Sequence, residues 1–306
     1  MPESFEFPAG PFGHADLEVR GISRGSLRRA LACRSVRRLT RGVYVRSDVP
    51  DSLELRVAVL ARVVSPGHVA CDRTAAWLHG VDLHGGRPSG AIPAVEICAL
   101  PGHPPTSRGD VRGRTRDLLP GDIEEHGDVL VTTPLRTALD LGCILRRADA
   151  LAALDQLRRS FGLTQQDLAR SAVRYVRRRG VVQLRELIPL SDPRAESVRE
   201  SWTRLAILDA GLPAPVPQLE IEVGGVVVVR LDHGYPDQRV AVEYDGYEFH
   251  HTEEQLAHDE RRRRWLRESG WRCIVVRRGD FTGRDLEAWI SDLRDSLRSP
   301  YSNLRW

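Results

Sequence analysis

The sequence predicts a multidomain protein of mixed α/β and α+β character, and three observations point there. The first 50 or so residues read as helix, turn, basic helix and basic hairpin. The middle of the chain alternates short strands with amphipathic helices. The last third reads as helix, three strands, helix, strand and a final helix. At 306 residues the chain has room for more than one core, and domains are expected at 1–50, 51–190 and 191–306.

Composition narrows the function classes. Hydrophobic residues make up 41% and charged residues 28%, the balance of an ordinary globular protein. A net charge of only +3 excludes a protein that coats DNA through bulk charge. All 45 basic residues are arginine, so a mechanism that needs lysine cannot run unchanged. The five cysteines (33, 71, 98, 143 and 273) are scattered, with no Cys-x-x-Cys pair, which argues against a disulfide framework or a zinc knuckle. A reducing cytoplasm is the expected compartment. The N-terminus carries Glu3, Glu6 and Asp16 and no apolar segment of signal-peptide length. The apolar run Val226 to Val229 is strand-sized and far too short to span a bilayer, so no membrane partner is expected. No feature indicates an oligomeric state.

In the first domain, His14 to Val19 is a candidate helix. Gly21-Ile22-Ser23 is a turn ending in an N-cap, because the Ser oxygen satisfies a free N–H of the next turn. The following helix, Arg24 to about Cys33, puts Leu27, Ala30 and Leu31 on one stripe. Val36 to Leu39, the Thr40-Arg41-Gly42 turn and Val43 to Val45 form a hairpin. This is the outline of a winged helix-turn-helix. Arg24, Arg28, Arg37, Arg38 and Arg41 are its candidate DNA-binding residues.

The middle domain predicts helices over Leu53 to Val64 and Asp72 to His79, the latter closed by Gly80. Ala94 to Leu100 and Val129 to Val131 read as strands. His103 to Arg116, rich in Pro, Gly and Arg, reads as a loop. Thr133-Pro134 opens a helix with a cap followed by proline at the first position. Further helices are predicted over Asp149 to Ser160 and Thr164 to Val176.

The last domain predicts a helix from Arg194 to Ala210, then an extended entry through Pro213, Pro215 and Pro217. Two strands joined by Gly224-Gly225 follow, the second ending at Asp232, and a turn through Gly234-Tyr235-Pro236 leads to the strand Val240 to Asp245. Strand alternation places Glu243 and Asp245 on one face with Ala241, and Val240, Val242 and Tyr244 on the other. Two acids on one face of an apolar strand are either solvated at a sheet edge or relieved by a cation. Oxygen ligands would favour Mg²⁺ or Mn²⁺ over zinc. Asp232 is the expected neighbour of Glu243. Glu196 and Glu200 lie four apart and should share a helix face; Glu200 is either solvent-facing or a fourth acid of the site, while Val198, Trp202, Leu205 and Leu208 should pack on the sheet. His250 and His251 suit a structural role, a metal ligand or a general base. Thr252 with Gln255 forms a capping box at the start of a helix to Arg267. Within that helix Asp259 is spaced to pair with Arg262 or Arg263, and the run Arg261 to Arg264 must split between solvent or phosphate and the acids.

Glu196-Ser197, Glu200-Ser201, Gly211-Leu212-Pro213, Asp232, Val242 to Gly246, His250, Asp259 with Arg262, and Gly270-Trp271 together resemble the bacterial proteins related to the very-short-patch-repair endonuclease, within the PD-(D/E)xK nuclease superfamily. The resemblance implies a restriction-endonuclease-like α-β-β-β-α-β core. It also implies a divalent metal held by Asp232 and Glu243, with Glu200 contributing. The superfamily's lysine two positions after the acid is here Asp245, so His250, Arg262 or Arg263 would have to take its part. The N-terminal part resembles AbiEi-type antitoxin proteins. The carriers are Arg38-Leu39 with Arg41 to Val45, Arg73 to Gly80, and Thr132 to Asp140. That resemblance implies a winged-helix DNA-binding domain, autoregulation and a cognate toxin partner.

Two functions follow as expectations. One is a metal-dependent DNA endonuclease with Asp232, Glu243, Asp245, His250 and Glu200 in the site and Arg262 and Arg263 near phosphate. The other is an antitoxin-like DNA-binding regulator whose nuclease fold has lost its chemistry.

Overall fold

The computed structural model describes residues 6–81, 83, 94–108, 111–246 and 253–298. They form a mixed α/β protein with three sheets. The chain divides into two units, Met1–Ile144 with Gln166–Val181, and Leu145–Gln165 with Val182–Trp306. No helix among the described residues is long and apolar enough to cross a membrane.

The first unit starts with α1 (His14–Val19) and α2 (Arg24–Ala32), then a hairpin of β1 (Val36–Thr40) and β2 (Val43–Arg46). Ser23 caps α2 through its Oγ, which accepts the Ser26 N–H at 3.0 Å. Leu17, Ile22, Leu27, Ala30 and Val36 close around Phe12 and Tyr44. The hairpin's Leu39, Val43 and Val45 pack instead on Leu55 and Val59 of α3 (Leu53–Ala61). The predicted helix to Val64 ends early, at Ala61, where the Arg62 and Val63 N–H groups close tight turns onto the Val59 and Leu60 carbonyls.

A six-stranded mixed sheet follows. It contains β3 (His68–Ala70), β4 (Val95–Ala99), β5 (Ser107–Arg108), β6 (Val111–Thr115), β7 (Ile123–His126) and β8 (Val129–Thr132), in the order β5-β6-β4-β3-β8-β7. Residues 103–116 are therefore not simply a loop: β5 and β6 form a hairpin, and β6 runs parallel to β4. Its glycine is required, because a Cβ on Gly113 would lie 2.0 Å from the Thr106 carbonyl oxygen. One sheet face buries Val95, Ile97, Val111, Val129 and Val131 against Leu60 of α3 and Ala75 and Leu78 of α4 (Asp72–Leu78).

Beside this sheet lies a buried ion network centred on α5 (Pro134–Ile144). Arg136 and Asp140 stand one helical turn apart, each 2% exposed, and Arg136 Nε donates to Asp140 at 2.8 Å. Asp140 also receives Arg116, the Tyr175 hydroxyl at 2.8 Å and Arg178 at 2.6 Å. Arg136 donates onward to Asp122 at 2.8 Å, which Arg174 grips with both terminal nitrogens. Arg174, Tyr175 and Arg178 follow α7 (Gln165–Ala172). The network ties that segment to α5 and the sheet.

The second unit holds α6 (Arg147–Phe161), α8 (Val181–Leu187), α9 (Val198–Asp209) and a four-stranded sheet. Its strands are β9 (Val216–Val223), β10 (Val226–Tyr235), β11 (Val240–Asp245) and β12 (Arg272–Arg277), ordered β12-β11-β10-β9, with only β11 and β12 parallel. Helix α10 (Glu253–Glu268) joins β11 to β12, and α11 (Gly283–Arg298) closes the chain. Val240, Val242 and Tyr244 pack with Ile207 of α9 and Trp289, Ile290 and Leu293 of α11. Ala241 packs with Leu266 of α10 on the other face. The alternation read from the sequence holds in β11.

Two expectations here are corrected. Helix α9 starts at Val198, because Asp192 Oδ1 turns the chain by accepting the Arg194 N–H at 2.9 Å and Ser197 supplies the cap. Glu196 therefore precedes the helix and shares no helical face with Glu200. Of the residues assigned to the sheet side of α9, Val198, Trp202 and Leu208 are only half-buried, and Ile207 makes the core contact. In addition, β10 continues to Tyr235, so Asp232 sits inside the strand and the turn lies at 236–239.

Asp140→Ala removes the acceptor shared by Arg136, Arg116, Arg178 and the Tyr175 hydroxyl, leaves Asp122 to Arg136 and Asp72 to Arg116, and should cost about 3 kcal/mol of stability. Chemical denaturation checks this; a loss under about 1 kcal/mol would remove the network from any structural role.

Candidate functional site

The acidic site forms where β10 and β11 meet, with α10 on one side and the start of α9 on the other. Cross-strand pairing sets His233 opposite Val242 and Tyr235 opposite Val240, on the α11 face. Leu231 packs instead with Leu266 on the α10 face. The two-residue period of β10 thus breaks next to Asp232. Opposite the break, Gln218 has a left-handed backbone with φ of 52°, between the pairs Leu231–Leu219 and His233–Pro217. Asp232 Oδ2 accepts the Tyr244 N–H at 3.0 Å, which fastens it to β11.

Each acid meets a protein donor. Glu243 is buried and both its oxygens are taken by Arg262 of α10, one at 2.8 Å and the other closer still. Arg262 also donates to the Arg230 carbonyl at 3.0 Å. Asp245 receives Arg263 at 2.9 Å. Glu200, 7% exposed, accepts the Gln218 side-chain amide and the Glu196 N–H on one oxygen, Oε2, each at 2.8 Å, so it is not solvent-facing. The basic run on α10 thus sends Arg262 and Arg263 to the acids. The ligand atoms of Glu200, Asp232, Glu243 and Asp245 do not bring any three within 4.8 Å of one another. His250, His251 and Thr252 lie outside the described residues, as does the side chain of Asp259.

Burial pushes Asp232 up to about 6; the Glu200 and Glu243 carboxylates add to the shift, and the Tyr244 N–H and Arg262 oppose it. Cys273, whose Sγ lies 3.6 Å from Glu243 Oε2, is pushed up to about 12 by burial and by that carboxylate. Chemically this is a set of acids held by arginine, amide and backbone donors, with the Asp232 carboxyl raised above its usual range.

At the N-terminus, Arg24, Arg28, Arg38 and Arg41 are exposed and form no ion pair among the described residues. Arg37 differs: it is half-buried and donates to the Val49 carbonyl at 2.9 Å.

Residues 68–190 match the AbiEi antitoxin C-terminal domain. The uncharacterized proteins Rv2248 and MT2308 of Mycobacterium tuberculosis are each 34% identical to this chain over 236 residues, which is 77% of this chain and 83% of theirs. The chain belongs to their family. Its AbiEi domain supplies the six-stranded sheet and the ion network of Asp122, Arg136 and Asp140. The motif from Thr132 to Asp140 therefore marks a buried network, which sequence reading did not single out. A signal was present: Arg136 and Asp140 are charges at i and i+4 inside an otherwise apolar helix.

A carboxyl with a folded pKa above its unfolded value of about 3.9 holds its proton more tightly when folded. It therefore withdraws stability as pH rises from about 4 to 6. Asp232→Asn removes that loss. Variant and wild type should be equally stable below pH 4, and the variant more stable by about 1–3 kcal/mol at pH 7. Burial depresses His233 to about 3, which acts with the opposite sign, so the difference between the two proteins is the quantity to measure. Equal stability at pH 7 would show that Asp232 is not strained.

Proposed function

We propose that this chain is a DNA-binding regulator of the AbiEi antitoxin type. In this reading residues 1–50 are a winged helix-turn-helix and residues 51–190 an antitoxin-type middle domain. Residues 191–306 are a restriction-endonuclease-like domain without hydrolytic activity. The observation that carries the reading is an AbiEi antitoxin domain following a helix pair and hairpin whose exposed arginines have no acid partners among the described residues. Unpaired guanidinium groups on one small unit suit phosphate contacts, and a cap-ordered helix suits the groove. A toxin protein is the partner that the family description suggests.

The state of the acids supports the second half of the reading. The Mg²⁺ or Mn²⁺ implied by the nuclease resemblance requires open carboxylate oxygens. Arg262 takes both oxygens of Glu243, and one oxygen of Glu200 accepts from Gln218 and Glu196. A guanidinium cannot give up its proton near neutral pH, so Arg262 offers no base to activate water. As arranged, Glu243 is closed to the metal that the resemblance would have it hold.

One observation favours the endonuclease as a second reading: half-buried Asp232 feels the Glu200 and Glu243 carboxylates, and like charges held together invite a cation. Calorimetric titration with Mn²⁺ separates the readings. Binding that Asp232→Ala with Glu243→Ala abolishes would restore the enzyme; its absence favours the regulator.

The test of DNA binding is a salt titration on the DNA upstream of the chain's own coding sequence. Each phosphate contact contributes roughly 0.9 to the slope of log affinity against log salt. Arg38→Ala with Arg41→Ala should lower that slope by about 2 and weaken binding to all sequences. An unchanged slope would rule out this interface, and no preference of the wild type for that DNA over random DNA would rule out regulation at that site.

A further inference from the structure

The AbiEi domain carries a second polar cluster, remote in sequence from the acids of the last sheet. His79 caps the C-terminus of α4, where Gly80, with φ of 80°, turns the chain and the Val81 N–H returns to the Ala76 carbonyl. Glu124 and His126 stand two apart on the edge strand β7 and so project from one face. That strand is held in register by β8, with Glu124 opposite Val131 and His126 opposite Val129.

The three side chains converge. The His79 side chain is 2% exposed, and its Nε2 donates to the Thr132 carbonyl at 2.8 Å. That bond places the proton on Nε2 and leaves the lone pair on Nδ1, which lies 3.7 Å from Glu124 Oε1. His126 Nε2 lies 2.8 Å from the same oxygen. All three ligand atoms fall within 4.8 Å of one another, the one such group among the described residues.

We propose that His79, Glu124 and His126 form a binding site for a divalent transition-metal ion, with Zn²⁺ the best-suited ion. Two imidazole nitrogens and one carboxylate oxygen are a donor set for zinc, whereas Mg²⁺ and Ca²⁺ prefer oxygen alone. The Thr132 carbonyl plays the part that orients a metal-bound histidine, taking the proton of the nitrogen that does not ligate. Zinc–ligand bonds of about 2.0–2.2 Å put tetrahedral ligand atoms about 3.3–3.6 Å apart. The His79–Glu124 separation is close to that already. The half-exposed His126 and Glu124 side chains, at 26% and 35%, would part by under about 1 Å, and His126 would close on His79 from within 4.8 Å. Their exposure opens the site to solvent, which supplies the fourth ligand. The ion would staple edge strand β7 to the end of α4, so its effect is on the antitoxin domain itself.

The test uses the full chain, titrated calorimetrically with Zn²⁺ and with Mg²⁺. The expected result is one Zn²⁺ per chain, no measurable Mg²⁺ at this site, and Zn²⁺ affinity lowered at least about tenfold in Glu124→Gln with His126→Ala. His79 is left intact because it is buried, and circular dichroism verifies that the double variant folds. Should that variant not fold, Co²⁺ bound to the wild type decides. Tetrahedral visible absorption without a thiolate charge-transfer band supports the site, and a thiolate band assigns the metal to the cysteines instead. Failure of the wild type to bind Zn²⁺, or equal affinity in a folded double variant, overturns the proposal and leaves the DNA-binding reading untouched.

Discussion

A carboxylate removed from water needs a countercharge, and in a chain without lysine that countercharge is arginine. Both units rest on this constraint. In the first, Asp140 collects Arg116, Arg136, Arg178 and the Tyr175 hydroxyl. In the second, Asp155 lies fully buried between α6 and α9 with Arg204 at 2.5 Å and the Asp192 N–H at 2.7 Å. A planar guanidinium presents several donors in a fixed fork, so each such pair fixes direction as well as distance. That is how polar contacts come to hold helices against sheets inside otherwise apolar cores.

The same rule, applied to the last sheet, decides what its acids can do. Alternation in β11 turns Glu243 and Asp245 toward α10, and α10 answers with Arg262 and Arg263. An ammonium in that position would be a mobile point charge able to shift its pKa. A guanidinium is a permanent cation that occupies both carboxylate oxygens at once. The arrangement occupies both oxygens of Glu243 and one oxygen of Asp245. Among the described residues Asp232 meets no arginine in hydrogen-bond contact: a backbone N–H donates to it, and burial, with the Glu200 and Glu243 carboxylates adding, raises its pKa.

Local features were legible in the sequence. The Ser23 cap, the closure of α4 at Gly80 and the face assignment in β11 follow from short-range chemistry that a few residues specify. The strands within 103–116 were hidden because β6 is stabilised by its parallel partner β4, a tertiary effect that overrides Pro, Gly and Arg content. The break in β10 at Asp232 depends on Gln218 in a different strand. The ion network was hidden for the same reason: Asp122 meets Arg174 across 52 residues and Asp140 meets Arg178 across 38. The His79, Glu124 and His126 cluster joins a helix end to an edge strand, and no spacing rule connects them. What sequence reading could do was mark the motif around Arg136 and Asp140 without revealing what it builds.

In the proposed function the N-terminal arginines hold DNA and the last domain leaves it intact. The most direct measurement is footprinting on the DNA upstream of its own coding sequence, in chelator and then with Mg²⁺ or Mn²⁺, followed by denaturing electrophoresis of both strands. The account predicts the same protected stretch in all three conditions and full-length strands throughout. Metal-dependent cleavage that disappears in Asp232→Ala with Glu243→Ala would contradict it.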